Sequence, residues 1–363
     1  QLDMEMSFVE KEDIFNILEP LFYELFSVFG NGKIVSKAPF KKILFQDSML
    51  QYGTDKPDLR NPIIITDLTK MFESSEIKLD IFKKQIKKGA IVRAIPAPGT
   101  KMKSRSFYDE LNQWAKNEGA HGLAYISLMK NKEEIIGSGP IAKFFSKNAI
   151  KQIIKKCNIK DGDSLFFSCD KKEMAEKISG LVRQKIAHEL NLINKNSFQF
   201  CWITDFPLYK YNDEEKKIDF SHNPFSMPKV SYEDFDKMDP LTILAEQYDL
   251  VCNGIELSSG AIRNHLPKMM YKVFSKAGYS KDEVNKKFSG MINALSYGAP
   301  PHGGMAPGID RIVMLLANVE NIREITMFPL NQTAQDLLMK APSEATNQQL
   351  KELSIKITKK NKN

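Results

Sequence analysis

Tyr248-Asp249-Leu250-Val251-Cys252-Asn253-Gly254-Ile255-Glu256-Leu257 reads as two short strands joined by a two-residue turn. Asn-Gly between apolar alternations is a strong hairpin signal, because both central residues of the favoured turn need positive φ. With that turn, Cys252 faces Ile255 and Val251 faces Glu256. Asp249 lies two residues from Val251, so it shares the face of Glu256. The two carboxylates become diagonal neighbours, roughly 7–8 Å apart at Cα. A divalent ion fits between them, since Mg²⁺ takes one or two protein carboxylates and leaves its other positions to waters and phosphates. The alternative is a solvated sheet face carrying two unrelated acids.

Working outward, Ser258-Ser259-Gly260-Ala261-Ile262-Arg263 continues the second strand. Arg263 is seven residues beyond Glu256, and strict alternation puts it on the opposite face. Only a bulge at Ser-Ser-Gly returns it to the acid face, where its guanidinium would bind a carboxylate in bidentate fashion; otherwise it is a surface arginine. Further on, Gly303-Gly304-Met305-Ala306-Pro307-Gly308-Ile309-Asp310-Arg311 reads as a Gly/Pro loop to Gly304, a short strand Met305 to Ile309, and a helix from Asp310 to Val319. Arg311 in the first turn opposes the helix dipole, so a ligand explains it better than stability does. Asp310 suits the cap. His222, before Asn223-Pro224-Phe225, ends a strand and is either structural or functional.

Upstream, Leu2, Met4 and Met6 alternate with Gln1, Asp3, Glu5 and Ser7, predicting a half-buried strand. Ile14, Ile17, Leu18, Leu21, Phe22 and Leu25 then recur at helical spacing until Gly30-Asn31-Gly32. Tyr52-Gly53-Thr54-Asp55-Lys56-Pro57-Asp58-Leu59-Arg60-Asn61-Pro62 is a Pro/Asp-rich loop. From 67 to 197 lysines become dense and short strands alternate with helices, predicting an α/β insert. Its strands are 90–95, 123–128 and 164–168, and its helices 106–117, 139–145 and 172–190. His121 within it reads as structural. Phe198 to Ile203 is a strand, Asn212-Asp213 a turn, and Val284, Phe288, Met291, Ile292 and Leu295 a helical stripe.

A length of 363 residues with 42% hydrophobic and 27% charged side chains supports real cores in more than one domain. No apolar run approaches a membrane span, and the N-terminus lacks a secretory pattern. The four cysteines are scattered, which argues against a disulfide framework or zinc site and for a reducing cytoplasm. The net charge of +7 is a mild excess, part of it in the lysine-rich tail, and is compatible with a polyanionic partner.

Together these pieces resemble the bacterial-type aspartyl-tRNA synthetases of class II. The carrying residues are Tyr52 to Arg60; Trp202-Ile203-Thr204-Asp205-Phe206-Pro207-Leu208; His222-Asn223-Pro224-Phe225; the Asn253-Gly254 hairpin; and Tyr297-Gly298-Ala299-Pro300-Pro301-His302-Gly303-Gly304 leading into Gly308-Ile309-Asp310-Arg311. The resemblance implies an α+β fold: a class II antiparallel sheet flanked by helices and interrupted by an α/β insertion domain of the GAD type. The implied domains are 1–66 and 198–340 for the catalytic parts, 67–197 for the insert and 341–363 for a C-terminal extension with a basic tail. The implied reaction joins L-aspartate to tRNA through an aspartyl-adenylate, using ATP and Mg²⁺, in a cytoplasmic homodimer.

By the same resemblance, Arg311 stacks on adenine and reaches the γ-phosphate, with Gly308, Ile309 and Asp310 forming the ATP-contacting corner. Glu256 and Asp249 hold Mg²⁺. Arg263 grips the substrate's side-chain carboxylate, His222 sits on the aspartate, and Gln1 and Asp3 face its ammonium. Ser258 and Ser259 replace glycines of many relatives, and Asn223 replaces a second histidine, which implies a tuned pocket. The chain resembles a C-terminal portion lacking the anticodon-binding domain, motif 1 and the start of motif 2, and such a portion is expected to be a poor enzyme alone. The competing reading is a non-catalytic RNA- or protein-binding paralogue; retention of Asp249, Glu256, Arg263 and Arg311 together weighs against it.

Overall fold

The computed structural model describes residues 1–131 and 134–358. It divides into two compact units, Gln1–Gly308 and Ile309–Asn363. The end of the basic tail, 359–363, lies outside the described residues.

The first unit opens with β1 (Met4–Ser7), α1 (Lys11–Phe29), β2 (Lys41–Leu44) and α2 (Phe45–Tyr52). Next come β3 (Thr66–Asp67), β4 (Ile91–Ala97), α3 (Arg105–Asn117), β5 (Ala124–Asn131), β6 (Glu134–Ser138), α4 (Lys147–Cys157), β7 (Ser164–Asp170) and α5 (Lys172–Glu189). It ends with β8 (Phe200–Pro207), β9 (Leu244–Cys252), β10 (Ile255–Ile262), α6 (Lys281–Ser296) and β11 (His302–Met305). The second unit starts with α7 (Ile309–Leu316).

Six strands form the larger sheet, in the order β1-β11-β10-β9-β8-β2. All its pairings are antiparallel except β8 with β2. One face is covered by α1. Ile14, Phe15, Leu18, Phe22 and Phe26 are buried there at i, i+1, i+4, i+8 and i+12, the stripe of an amphipathic helix. Phe15 stacks on Trp202 with centroids 4.0 Å apart, and meets Tyr248 edge-on at 5.2 Å. The Trp202 indole N–H donates to Glu19 at 2.8 Å, which satisfies the one polar atom of that buried ring. Ile17 and Leu21 of the expected stripe are instead exposed, because the buried face is centred on Phe15 and Phe22. The sheet's other face, over Ile43, Ile203 and Val251, carries the candidate site.

The second sheet runs β3-β4-β7-β5-β6, and every pairing in it is antiparallel. The alternation of helices and strands suggested α/β connectivity; the pairing makes this segment α+β. Both faces are covered. Val92, Leu165 and Phe167 face the core under α4, while Ile95 and Phe166 face Leu111, Ile178 and Val182 from α3 and α5. Two-sided burial explains why Leu165-Phe166-Phe167 is an unbroken apolar run.

Two local expectations fail for identifiable reasons. The helix expected at 139–145 is only the 3₁₀ turn Ala142–Phe144, since Gly139 is at φ 109° and Phe145 is extended, bridging Ile77. The strand expected at Met305–Ile309 is His302–Met305. Gly303 and Gly304 belong to it because a Cβ on Gly304 would lie 2.0 Å from the Met4 carbonyl oxygen. Among the described residues, no helix is long and apolar enough to cross a membrane, and all four cysteines are free.

Candidate active site

β9 and β10 meet at Asn253 and Gly254, with φ of 52° and 85°, the left-handed pair that the Asn-Gly turn supplies. Cys252 pairs with Ile255 and Val251 with Glu256, as the sequence predicts. The register then slips: Leu250 pairs with Ser258 and Asp249 with Ser259. One extra residue, Leu257, thus sits in β10, and its carbonyl accepts the Gly308 N–H at 2.8 Å. The slip changes the parity of everything beyond it. Asp249, Glu256, Ser259 and Ala261 share one face, and Arg263, two residues past Ala261, returns to it. The bulge that Arg263 requires is present, at Leu257 instead of within Ser258-Ser259-Gly260.

The same face extends across the sheet. Gln247 pairs with Ala261, Ala261 with Gly304, and Gly304 with Glu5. Gln1 and Asp3, expected on this strand face, precede β1 in irregular backbone, which the Leu2 N–H bond to the Pro307 carbonyl at 3.0 Å ties to the stretch following β11.

Asp249 is only 3% exposed. Burial pushes its carboxyl up to about 7, against the hydrogen bond from the Ser259 hydroxyl and with a further push from Glu256. Its Oδ1 is buried without a hydrogen-bond partner. The Ser259 hydroxyl, at a position where many relatives were expected to carry glycine, thus meets the Asp249 carboxyl. Glu256 is met by the Lys56 ammonium at 3.3 Å, which also contacts Asp55 at 2.7 Å. Burial lowers the Lys56 pKa, but Asp55 and Glu256 outweigh it and the net shift is upward. Lys56 was not among the expected site residues; its signal was the Asp55-Lys56 pair in the Pro/Asp-rich loop.

Arg263 already holds a carboxylate. Its Nε lies 3.0 Å from Glu5 Oε1, and Nη2 bonds the same oxygen. Glu5 was also missed, although it shares the alternation of Gln1 and Asp3. His222 sits beside the rings of Phe206 and Phe45, with centroids at 4.9 and 5.7 Å. Burial lowers its pKa, with Asp55 and Glu256 acting the other way, so it is neutral at neutral pH. His121 is exposed between α3 and β5, its Nδ1 2.7 Å from the Asp170 carboxylate. A cavity of about 700 Å³ lies between the Gly53–Arg60 loop, the Asn253-Gly254 turn and α5.

In the second unit, Asp310 and Arg311 are exposed in the first turn of α7, while Ile312 and Met314 are buried. The helix begins at Ile309, so Asp310 lies inside it and does not occupy the cap.

A family model described as tRNA synthetases class II (D, K and N) matches residues 1–332. The aspartate–tRNA(Asp/Asn) ligase of Pelagibacter ubique is 57% identical over 355 residues, 98% of this chain and 59% of that protein. The ligase of the same name from Beijerinckia indica is 52% identical, covering 98% of this chain and 60% of its own length. That from Rickettsia bellii is 55% identical, covering 99% and 59%. The chain thus spans about three-fifths of the length of these curated relatives.

Proposed function

Because the chain belongs to the class II tRNA synthetases of the D, K and N group, we propose that the protein of which it is part ligates L-aspartate to tRNA. The observation that carries this reading is the Leu257 bulge. It puts a carboxylate-binding arginine, Arg263, on the same sheet face as the carboxylates Asp249 and Glu256. Joining an acidic amino acid to ATP needs both: a grip on the side-chain carboxylate and a means of neutralising phosphate.

In the first step an oxygen of the aspartate α-carboxylate attacks the α-phosphorus of ATP, and pyrophosphate leaves. In the second, the 3′-terminal ribose hydroxyl of tRNA attacks the aspartyl carbonyl and AMP leaves. No protein nucleophile is required; positioning and charge neutralisation suffice. Arg263 orients the aspartate, exchanging the Glu5 carboxylate for that of the substrate. Gln1, Asp3 and neutral His222 complete the amino-acid end. Gly308, Ile309, Asp310 and Arg311 serve ATP, Arg311 through its planar guanidinium.

Asp249 and Glu256 fit a divalent cation. Asp249 presents a buried oxygen without a partner, and Glu256 already attracts a cation, Lys56. Bound there, Mg²⁺ would neutralise triphosphate charge. We further read 67–197 as the insertion domain, 1–66 and 198–340 as catalytic parts and 341–363 as an extension, in a cytoplasmic homodimer. The relatives' shared name favours charging of both tRNA(Asp) and tRNA(Asn). The test is aminoacylation of each tRNA with labelled aspartate by the complete natural polypeptide. Both should be charged; charging of neither, or with asparagine instead, would overturn the reading.

A further inference from the structure

α5 and the loop that follows α2 meet around a buried arginine and a close glycine contact. Arg183 on α5 is fully buried, and its guanidinium reaches three backbone carbonyls of the loop that follows α2. Nε donates to Ile63 at 2.7 Å, and Nη2 donates to Asp58 at 2.9 Å and Asn61 at 2.8 Å. Its plane lies over the Tyr52 ring, 5.0 Å from the centroid. Asn61 answers by donating its side-chain amide to the Arg183 carbonyl at 3.2 Å. Buried carbonyls in an irregular loop need partners, and the guanidinium fork supplies several at once.

Both ends of this link are fixed. On the insert side, Arg93 of β4 pairs with Glu176 of α5 at 3.2 Å, both buried, and also bonds Asp67 of β3. On the loop side, Gly53 and Gly180 touch so closely that a Cβ on Gly180 would lie 2.6 Å from the Gly53 carbonyl oxygen. The loop in turn rests on the hairpin turn, where a Cβ on Gly254 would lie 3.4 Å from Asp58 Cβ. The residue delivered by this stack is Lys56, 3.3 Å from Glu256.

We infer that Arg183 is a positioning residue: through it the insert holds the Gly53–Ile63 loop so that Lys56 faces the Glu256 carboxylate and, when substrate enters, the phosphates of ATP. This rests on the proposed ligase reading. Its charge logic is simple. A divalent cation arriving on Glu256 displaces the ammonium already there, and the triphosphate that accompanies it is the nearest anion to receive Lys56.

The test uses the complete natural polypeptide with Arg183→Lys, Gly180→Ala, Lys56→Ala and the double variant R183K/K56A. Arginine to lysine keeps the charge but loses the fork. Amide hydrogen exchange should quicken roughly tenfold at residues 53–63 in R183K and in G180A, with residues 164–170 unchanged; tenfold corresponds to one hydrogen-bond-scale loss. In aspartate-dependent ATP–pyrophosphate exchange, the KM for ATP should rise several-fold with kcat less affected, and R183K should add nothing in the K56A background. Unchanged exchange at 53–63, quickening that spreads to 164–170 in both variants, or KM effects that add to those of K56A would each overturn the inference. A wild-type protein without pyrophosphate exchange would instead overturn the ligase reading, and the hydrogen-exchange comparison would still decide whether Arg183 holds the loop.

Discussion

Asp249 is where burial, charge and ligand chemistry meet in one residue. Its folded-state carboxyl titrates near 7, far above the ordinary aspartate value, because it is desolvated. The sign of the consequence follows. Between about pH 4 and 7 the folded state keeps a proton that the unfolded state has lost, so this group makes the metal-free protein less stable as pH rises through that window. Asp249→Asn should remove that component: melting temperature against pH in chelator should run flatter for the variant. Added Mg²⁺ at pH 7.5 should raise the wild-type melting temperature more than that of the variant. Parallel pH curves and equal Mg²⁺ responses would reject this view of Asp249. His222 contributes in the opposite direction: with its pKa lowered by burial, stability falls as pH drops through the ordinary histidine range. At this scale the sequence was readable wherever alternation decides a face. Asp249 and Glu256 followed from the Asn-Gly turn alone. Arg263 required a bulge whose place no local pattern marks, and Glu5 and Lys56 emerged only once chain segments distant in sequence were brought together.

At the scale of elements, glycines decide how closely β1 approaches β11. Gly304 has no room for a side chain, with the Met4 carbonyl and the Glu5 carboxylate both inside contact distance of a Cβ. Gly304→Ala should cost about 1–3 kcal/mol in urea unfolding, the range for overpacking a tight contact. Gly290 in α6 has open space where its Cβ would be, and Gly290→Ala should stabilise by about 0.5–1 kcal/mol through helix propensity. Similar effects at the two positions would contradict the packing described. The pair of glycines in β11 read as a loop because glycine is usually punctuation; here crowding of three strands demands it. α4 went unread for the opposite reason: its stripe of Ala149, Ile150, Ile153 and Cys157 is regular, but it is short and set among lysines. Long stripes such as that of α1, by contrast, were legible in existence, with the buried face turned away from Ile17 and Leu21.

For the molecule as a whole, the sequence anticipated a mainly antiparallel sheet, though not the parallel pairing of β8 with β2 at its edge. Alternating helices and strands could not reveal that the second sheet is antiparallel throughout, because pairing direction depends on which strands become neighbours, here β4 with β7 and β7 with β5. These levels join in the proposal that a bulge in β10, which brings Arg263 to the face of Asp249 and Glu256, makes the complete protein select aspartate. The direct measurement is amino-acid-dependent ATP–pyrophosphate exchange by the complete natural polypeptide, wild type against Arg263→Ala, with L-aspartate and L-asparagine compared. Wild type should exchange with aspartate and hardly with asparagine. The variant, losing a charge-assisted contact worth about 2–5 kcal/mol, should lose exchange at low aspartate while keeping its melting temperature. Near-normal activity of the variant at low aspartate, or equal exchange of wild type with asparagine, would contradict the account.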